Sequence, residues 1–119
     1  MRSEEFEAVI KDRIAMCLDT LIIKANEYAT EDRLHNFKVA GKIQHVNPVV
    51  ALAGMMAKHT VSVYDLIAQY GEGKEIPAGM WDEKIGDSIN YLLLLTALLV
   101  EERGKHCKVA EDDICQKTE

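Results

Sequence analysis

The stretch WDEKIGDSINYLLLLTALLVEER, residues 81–103, decides the fold class because its apolar residues repeat with the period of an α-helix. One side of this predicted helix is apolar and carries Trp81, Ile85, Ile89, Leu92, Leu99 and Val100. The opposite side carries Glu83, Asp87, Asn90 and Leu94. Between residues 92 and 100 both sides are apolar, so we expect this helix to be buried on nearly every side.

Three further helices precede it along the chain. The first, over residues 4–28, has an apolar stripe that we expect in the core, formed by Phe6, Ile10, Ile14, Cys17, Leu21 and Ala25. The second covers residues 31–44, with Leu34 and Phe37 facing inward. Asn47 and Pro48 predict the start of the third, because asparagine caps free amides and proline suits the first helical position. This helix ends near residue 70, before a polar loop at residues 72–79.

These elements predict an all-α fold, a four-to-five-helix bundle in a single domain over residues 1–104 with a polar tail at residues 105–119. A helix in an isolated bundle normally keeps one side in water, and the leucine-rich half of the last helix leaves no such side. We therefore expect homo-oligomerisation, as a dimer or a larger assembly, to complete the bundle.

Composition argues against several classes of partner. The chain has 119 residues and a formal charge of −6, which disfavours binding along a nucleic-acid backbone. Its longest nearly apolar stretch, residues 89–100, falls short of the ~18 residues needed to cross a bilayer, so we expect no membrane partner. The three cysteines have no paired spacing and follow no signal peptide, which is typical of reduced thiols in the cytoplasm.

Each long helix also carries a polar column beside its apolar stripe. On the last helix Glu83, Asp87 and Asn90 lie one above another, and an amide so far inside a helix needs hydrogen-bond partners. On the third helix, Lys58 starts a polar column beside His59. For any single column a solvated helix face is the simpler interpretation. Together the columns predict a pocket, because packed helices can point them at one another.

Four runs of sequence carry a resemblance to a known family: KANEY at residues 24–28, DRLHNF at 32–37, MAKH at 56–59 and WDEKIGDSINYL at 81–92. They resemble small phage and prophage proteins related to the MazG-like, all-alpha NTP pyrophosphatase superfamily and to phage nucleotide-modification-associated domains. The resemblance covers about residues 24–95. It implies a helical homo-oligomer in which acidic residues hold Mg²⁺ against a nucleotide's phosphates while water attacks phosphorus.

The acidic motifs of this chain depart from the superfamily's pattern. Residues 82–87, DEKIGD, look like its second motif, ExxD, but Lys84 occupies the position of the glutamate and Glu83 precedes it. The first motif, ExxE, has no clean match: Glu4 and Glu7 have its spacing but lie at the wrong end of the chain, and Glu27 and Glu31 are spaced by four. The pattern therefore leaves open whether the protein hydrolyses its nucleotide or only binds it.

The first functional hypothesis is a Mg²⁺-dependent nucleoside triphosphate pyrophosphohydrolase. Its catalytic residues would be Glu83, Asp87 and Asn90, and its metal ligands would be Glu27, Glu83 and Asp87. The other ligand-binding residues would be Lys24, Tyr28, Arg33, Asn36, Lys58, His59 and Tyr91. One alternative is a non-catalytic protein that sequesters a host signalling nucleotide in the same pocket. A further alternative is a helical interaction module that binds no small ligand.

Overall fold

The structure is a computed structural model that describes residues 1–23 and 32–106, and these ranges contain no strand. Its elements are α1 (Ser3–Leu18), a π-helical turn (Asp19–Ile23), α2 (His35–Gln44), α3 (Pro48–Gly71) and α4 (Ala78–His106). The all-α prediction is confirmed. Within the described ranges, no helix has the length and apolar character required to cross a membrane.

The core lies where α2, α3 and α4 meet. Leu34 and Phe37 of α2 and its preceding turn pack with Leu52 of α3 and Leu98 of α4, and all four are buried. Full burial of such side chains contributes about 1.5–3 kcal/mol each by area bookkeeping. The prediction that Leu34 and Phe37 face inward is confirmed.

The turn between α2 and α3 follows from local chemistry. The Asn47 side chain accepts a hydrogen bond from the Val49 amide at 2.8 Å, and Pro48 is the first residue of α3, so the predicted helix start is confirmed. Gly41 lies under this turn. A Cβ atom at Gly41 would lie 2.8 Å from the carbonyl oxygen of Val46, so only glycine allows the backbones to approach this closely.

The prediction that the second helix begins at residue 31 is wrong. The Asp32 carboxylate accepts from the Leu34 amide at 3.0 Å and the Asp32 carbonyl accepts from the His35 amide at 3.2 Å. Asp32 therefore builds a turn, and α2 starts after it. Lys38 Nζ lies 2.6 Å from both Asp32 and Glu101, which ties this turn to α4. The Lys38 hydrogen bond is the main reason that the pKa of Asp32 is lowered.

The first helix also differs from its prediction. Its α-helical part ends at Leu18 and continues as a π-helical turn, in which the Thr20 hydroxyl donates to the Met16 carbonyl at 3.2 Å. Among the stripe residues that the structure describes, only Cys17 is buried, while Phe6 is 57% exposed and Ile14 is 53% exposed. The described part of the chain therefore leaves most of this stripe uncovered. Residues 24–28 lie outside the described residues.

The last helix buries one side and exposes the other. Asn90 and Leu98 are buried and Leu94 packs on the core, so the side that carries the polar column faces inward. Leu92 and Leu99 lie on the outer side, 53% and 41% exposed. The expectation of burial on nearly every side is therefore not met within one chain. The helix also starts earlier and ends later than predicted, at Ala78 and His106.

Candidate functional site

A polar pocket of about 190 Å³ lies between α4 and the segment formed by α1 and the π-helical turn. Both sides contribute polar side chains to its lining: Arg13, Thr20, Asp82, Glu83, Asp87 and Asn90. Glu83, Asp87 and Asn90 share one face of α4 because they recur at spacings of four and three residues, and Asp82 directly precedes Glu83. The buried Cys17 completes the lining from the α1 side.

Asn90 is the buried polar residue of this pocket. It is 8% exposed, and its amide oxygen has no hydrogen-bond partner among the residues that the structure describes. An unpaired buried acceptor costs about 1–3 kcal/mol, so proteins normally satisfy such groups with a ligand, an ion or an ordered water molecule. The pocket is therefore a place where a bound polar group or cation would stabilise the protein.

Asp87 links the pocket to α3. Its Oδ2 atom lies 3.5 Å from Nδ1 of His59, and the His59 ring packs on Tyr91 with centroids 4.7 Å apart. Tyr91 also contacts Phe37 edge-on at 6.2 Å, which joins these residues to the core. Burial raises the pKa of Tyr91 and the Asp87 charge raises it further, so the phenol stays protonated. The position of the Asp87 carboxylate is thus supported by α3 and the core.

Arg13 joins α1 to α4 through Asp82. Its Nη2 atom donates to Oδ1 of Asp82 at 2.7 Å, and its Nη1 atom donates to the Asp82 carbonyl at 3.0 Å. Bonds from a guanidinium are charge-assisted and hold their partners in a defined geometry. Glu83 is more exposed, with its Oε1 atom 4.0 Å from Nζ of Lys84. The pocket therefore combines one cation, already bonded to Asp82, with the carboxylates of Glu83 and Asp87.

The structure brings part of the predicted site together. Glu83, Asp87 and Asn90 line the pocket, His59 lies beside Asp87, and Tyr91 packs on His59. This arrangement places the three predicted catalytic residues at one opening between two helices.

Other predicted site residues lie elsewhere. Lys58 on α3 and Asn36 on α2 are exposed and are not part of the pocket lining. Arg33 donates from Nη2 to the carbonyl of Leu21 in the π-helical turn. The remaining predictions fall on Lys24, Glu27 and Tyr28, which lie outside the described residues.

The sequence prediction missed Arg13, Thr20 and Asp82 as members of the pocket. Arg13 and Thr20 stand about one turn before and one turn after Cys17, inside the stripe that was expected to be core. The sequence signal that could have identified Arg13 and Thr20 is their position on the same helical face as Cys17, one on each side of it. Asp82 was visible as part of the acidic motif, but its partner on α1 was not.

Glu83 and Asp87 are the pocket's candidates for a divalent cation. Within residues 1–23 and 32–106, no three His, Cys, Asp or Glu side chains group closely enough to hold a metal ion. Asn90 adds an amide oxygen to the two carboxylates, and Mg²⁺ prefers oxygen ligands and keeps several water molecules. That amide oxygen has no partner in the described part of the chain, and all three side chains carry the oxygen donors that Mg²⁺ prefers.

Two other depressions lack this combination of groups. A cavity of about 720 Å³ at the α3–α4 turn lies beside Tyr70 and Trp81, and its charged side chains are exposed. An apolar groove of about 320 Å³ between α3 and α4 contains Ser88, whose buried hydroxyl has no partner among the described residues. Neither depression brings carboxylates and a buried polar group together.

In comparisons with known proteins, no family model, no curated protein and no solved structure matches this chain. A functional proposal is therefore based on the residues of the α1–α4 pocket.

Proposed function

We propose that this is a cytoplasmic nucleotide-binding protein that holds the phosphates of its ligand in the α1–α4 pocket, with Mg²⁺ bound by Glu83 and Asp87. The observation that carries the proposal is the buried amide oxygen of Asn90, which lacks a partner among the described residues. It shares the pocket lining with both carboxylates. Mg²⁺ is usually bound by one or two carboxylates together with substrate phosphates, as the resemblance to the MazG-like superfamily also implies.

Each residue has a separate role in this proposal. Glu83 and Asp87 would be carboxylate ligands, and the Asn90 amide oxygen would pair with the ion or with its water. His59 would donate from Nδ1 to Oδ2 of Asp87, which leaves the other carboxylate oxygen for the pocket. When bound, Mg²⁺ neutralises phosphate charge and polarises the phosphorus–oxygen bonds.

The catalytic form of the proposal is hydrolysis of a phosphoanhydride. Water adds to phosphorus while the bridging phosphorus–oxygen bond breaks, and a nucleoside triphosphate yields a nucleoside monophosphate and pyrophosphate. Asn90 or His59 would orient the attacking water or the substrate, since both lie at the pocket or against its carboxylates.

A non-catalytic form is favoured by one specific observation. Lys84 stands where the resembled acidic motif has a glutamate, and its ammonium lies 4.0 Å from Glu83. A cation at this position weakens the charge that would hold a metal ion, but it does not prevent phosphate binding. A protein that sequesters a signalling nucleotide needs the pocket and tolerates this change.

We also propose that the protein acts as a homo-oligomer. α1 leaves Phe6, Ile10 and Ile14 exposed, and α4 leaves Leu92 and Leu99 exposed. Large exposed apolar patches are rare on monomeric soluble proteins and mark interaction surfaces. A second copy of the chain would cover these residues. A helical interaction module without a small ligand would use the same surface.

Thermal unfolding of the protein with a panel of nucleotides, each with and without Mg²⁺, distinguishes these hypotheses. A ligand present at 100 times its Kd stabilises the native state by about 2.7 kcal/mol, which thermal unfolding detects. We expect at least one nucleotide to stabilise the protein only with Mg²⁺, and chromatography of the products then distinguishes hydrolysis from sequestration. If no nucleotide stabilises the protein, nucleotide binding is refuted and the interaction module becomes the favoured function.

A further inference from the structure

Arg13 is the one cation in the described lining of the α1–α4 pocket, and the proposed function leaves it without a role. Its side chain is 20% exposed and donates two hydrogen bonds to Asp82. A guanidinium has five N–H donors, so further donors remain for a group that enters the pocket.

The net negative charge of the pocket lining favours binding of a cation before, or together with, an anion. Asp82, Glu83 and Asp87 outnumber the single guanidinium, so an anion alone meets a negative field. A divalent cation on Glu83 and Asp87 offsets this excess. An oxyanion that arrives together with the cation can then approach Arg13 without net repulsion.

We propose that Arg13 binds a phosphate oxygen of the nucleotide from the α1 side of the pocket, and that Asp82 holds the guanidinium in position. This inference rests on the proposed function and extends it by naming the residue that recognises the anion. The planar guanidinium suits the task because it presents parallel donors to phosphate oxygens. The two bonds to Asp82 fix its orientation before the ligand arrives.

A purely structural role for Arg13 leads to a different expectation. The ion pair attaches α1 to α4, so its loss from either end weakens that attachment. Arg13→Gln and Asp82→Asn each remove one charge from this same pair. If the pair only attaches the helices, both variants lose ligand affinity to a similar degree. If Arg13 binds phosphate, only Arg13→Gln loses it.

The experiment is calorimetric titration of the full chain, in the presence of Mg²⁺, with two probes. These are inorganic tripolyphosphate and the nucleoside triphosphate that stabilises the wild type most. Arg13→Gln should weaken both by at least about tenfold, the effect of losing a hydrogen bond to a charged group. Asp82→Asn should bind at least as tightly as wild type, because the asparagine oxygen and the backbone carbonyl of residue 82 can still accept from the guanidinium, while one negative charge beside the phosphate is removed. Arg13→Lys should fall between them, since a point charge replaces the planar fork.

Equal weakening in Arg13→Gln and Asp82→Asn would overturn the inference, and so would unchanged affinity in Arg13→Gln. If circular dichroism shows that Arg13→Gln does not fold, Arg13→Lys replaces it in the comparison with Asp82→Asn. Wild-type protein that binds neither probe refutes the proposed function and this inference together. Wild-type protein that binds both probes, with Arg13→Gln binding as well, refutes this inference alone.

Discussion

The two sides of α4 depart in opposite ways from what a solitary helical bundle requires. The inner side buries the amide oxygen of Asn90 without a partner among the described residues, although burying an unpaired acceptor costs free energy. The outer side exposes Leu92 and Leu99, although covering each would contribute about 1.5–3 kcal/mol. Under the proposed function, a polar ligand or a cation would remove the first departure and an apolar surface would remove the second.

The largest expected effect is on the inner side, at Asp87. Asp87→Ala removes a proposed metal ligand, so it should abolish Mg²⁺-dependent nucleotide binding and any turnover. Calorimetry and product analysis measure both. Asp65→Ala is the control, because Asp65 is an exposed carboxylate on α3 and its removal changes the charge equally. Wild-type affinity in Asp87→Ala would refute the metal assignment.

A smaller loss is expected when the residue behind Asp87 is changed. His59→Leu removes the Nδ1 atom that lies 3.5 Å from Asp87, and loss of such an outer contact costs about 10–100-fold in metal affinity. His59→Asn places an amide N–H near the same position and should recover most of the Mg²⁺ affinity. Equal losses in the two variants would show that the ring supports packing against Tyr91 rather than the carboxylate.

Substitution of Asn90 should increase the stability of the protein and abolish ligand binding. Asn90→Leu replaces a buried unpaired amide by an apolar group of similar size, so we expect the free energy of unfolding to rise by about 1–2 kcal/mol. The same variant should lose Mg²⁺-dependent nucleotide binding. Urea denaturation measures the first effect and calorimetry the second. A marked loss of stability would mean that the amide is already paired within the protein.

The outer side is tested by association. Light scattering should give a wild-type mass that is a multiple of the 13.4 kDa chain. Leu92→Lys combined with Leu99→Lys should shift it towards a single chain, because both residues are exposed on α4. Gln69→Lys, at an exposed position of α3, controls for added charge. A wild-type mass of one chain would contradict the homo-oligomer proposal.

The smallest effect concerns pH and Tyr91. The pKa of Tyr91 is raised in the folded protein above the ordinary tyrosine value of 10.0, mainly by burial, so the folded state holds this proton more tightly than the unfolded state. The stability that this provides is complete below pH 10 and decreases as the pH rises further. Tyr91→Phe should remove that part of the pH dependence, and urea denaturation between pH 8 and 11 would measure it. Identical profiles for wild type and Tyr91→Phe would contradict the assigned shift.

Local signals in the sequence predicted the local parts of the fold. Asn47 and Pro48 start α3 through contacts within one turn, and Leu34 and Phe37 face inward as their spacing predicted. The turn at Asp32 was missed, because an aspartate there favours a side chain to backbone bond over an earlier helix start.

The site was predicted only in part, for a physical reason. Asp87 and Asn90 share one helix, so their relation follows from periodicity alone. Arg13 and Asp82 meet across two helices, and nothing in the spacing of either helix encodes that contact. The same reason explains the error at Phe6 and Ile14, since an apolar stripe does not reveal whether another helix of the chain packs against it.

The central claim is that the inner side of α4 is completed by a metal-bound nucleotide. A crystal structure of the protein grown with Mg²⁺ and the nucleotide selected from the panel tests it directly. We predict an ion about 2.0–2.1 Å from carboxylate oxygens of Glu83 and Asp87, with the Asn90 amide oxygen paired to the ion or its water. Nucleotide bound instead in the cavity beside Tyr70 and Trp81, with the α1–α4 pocket free of metal, would contradict the account.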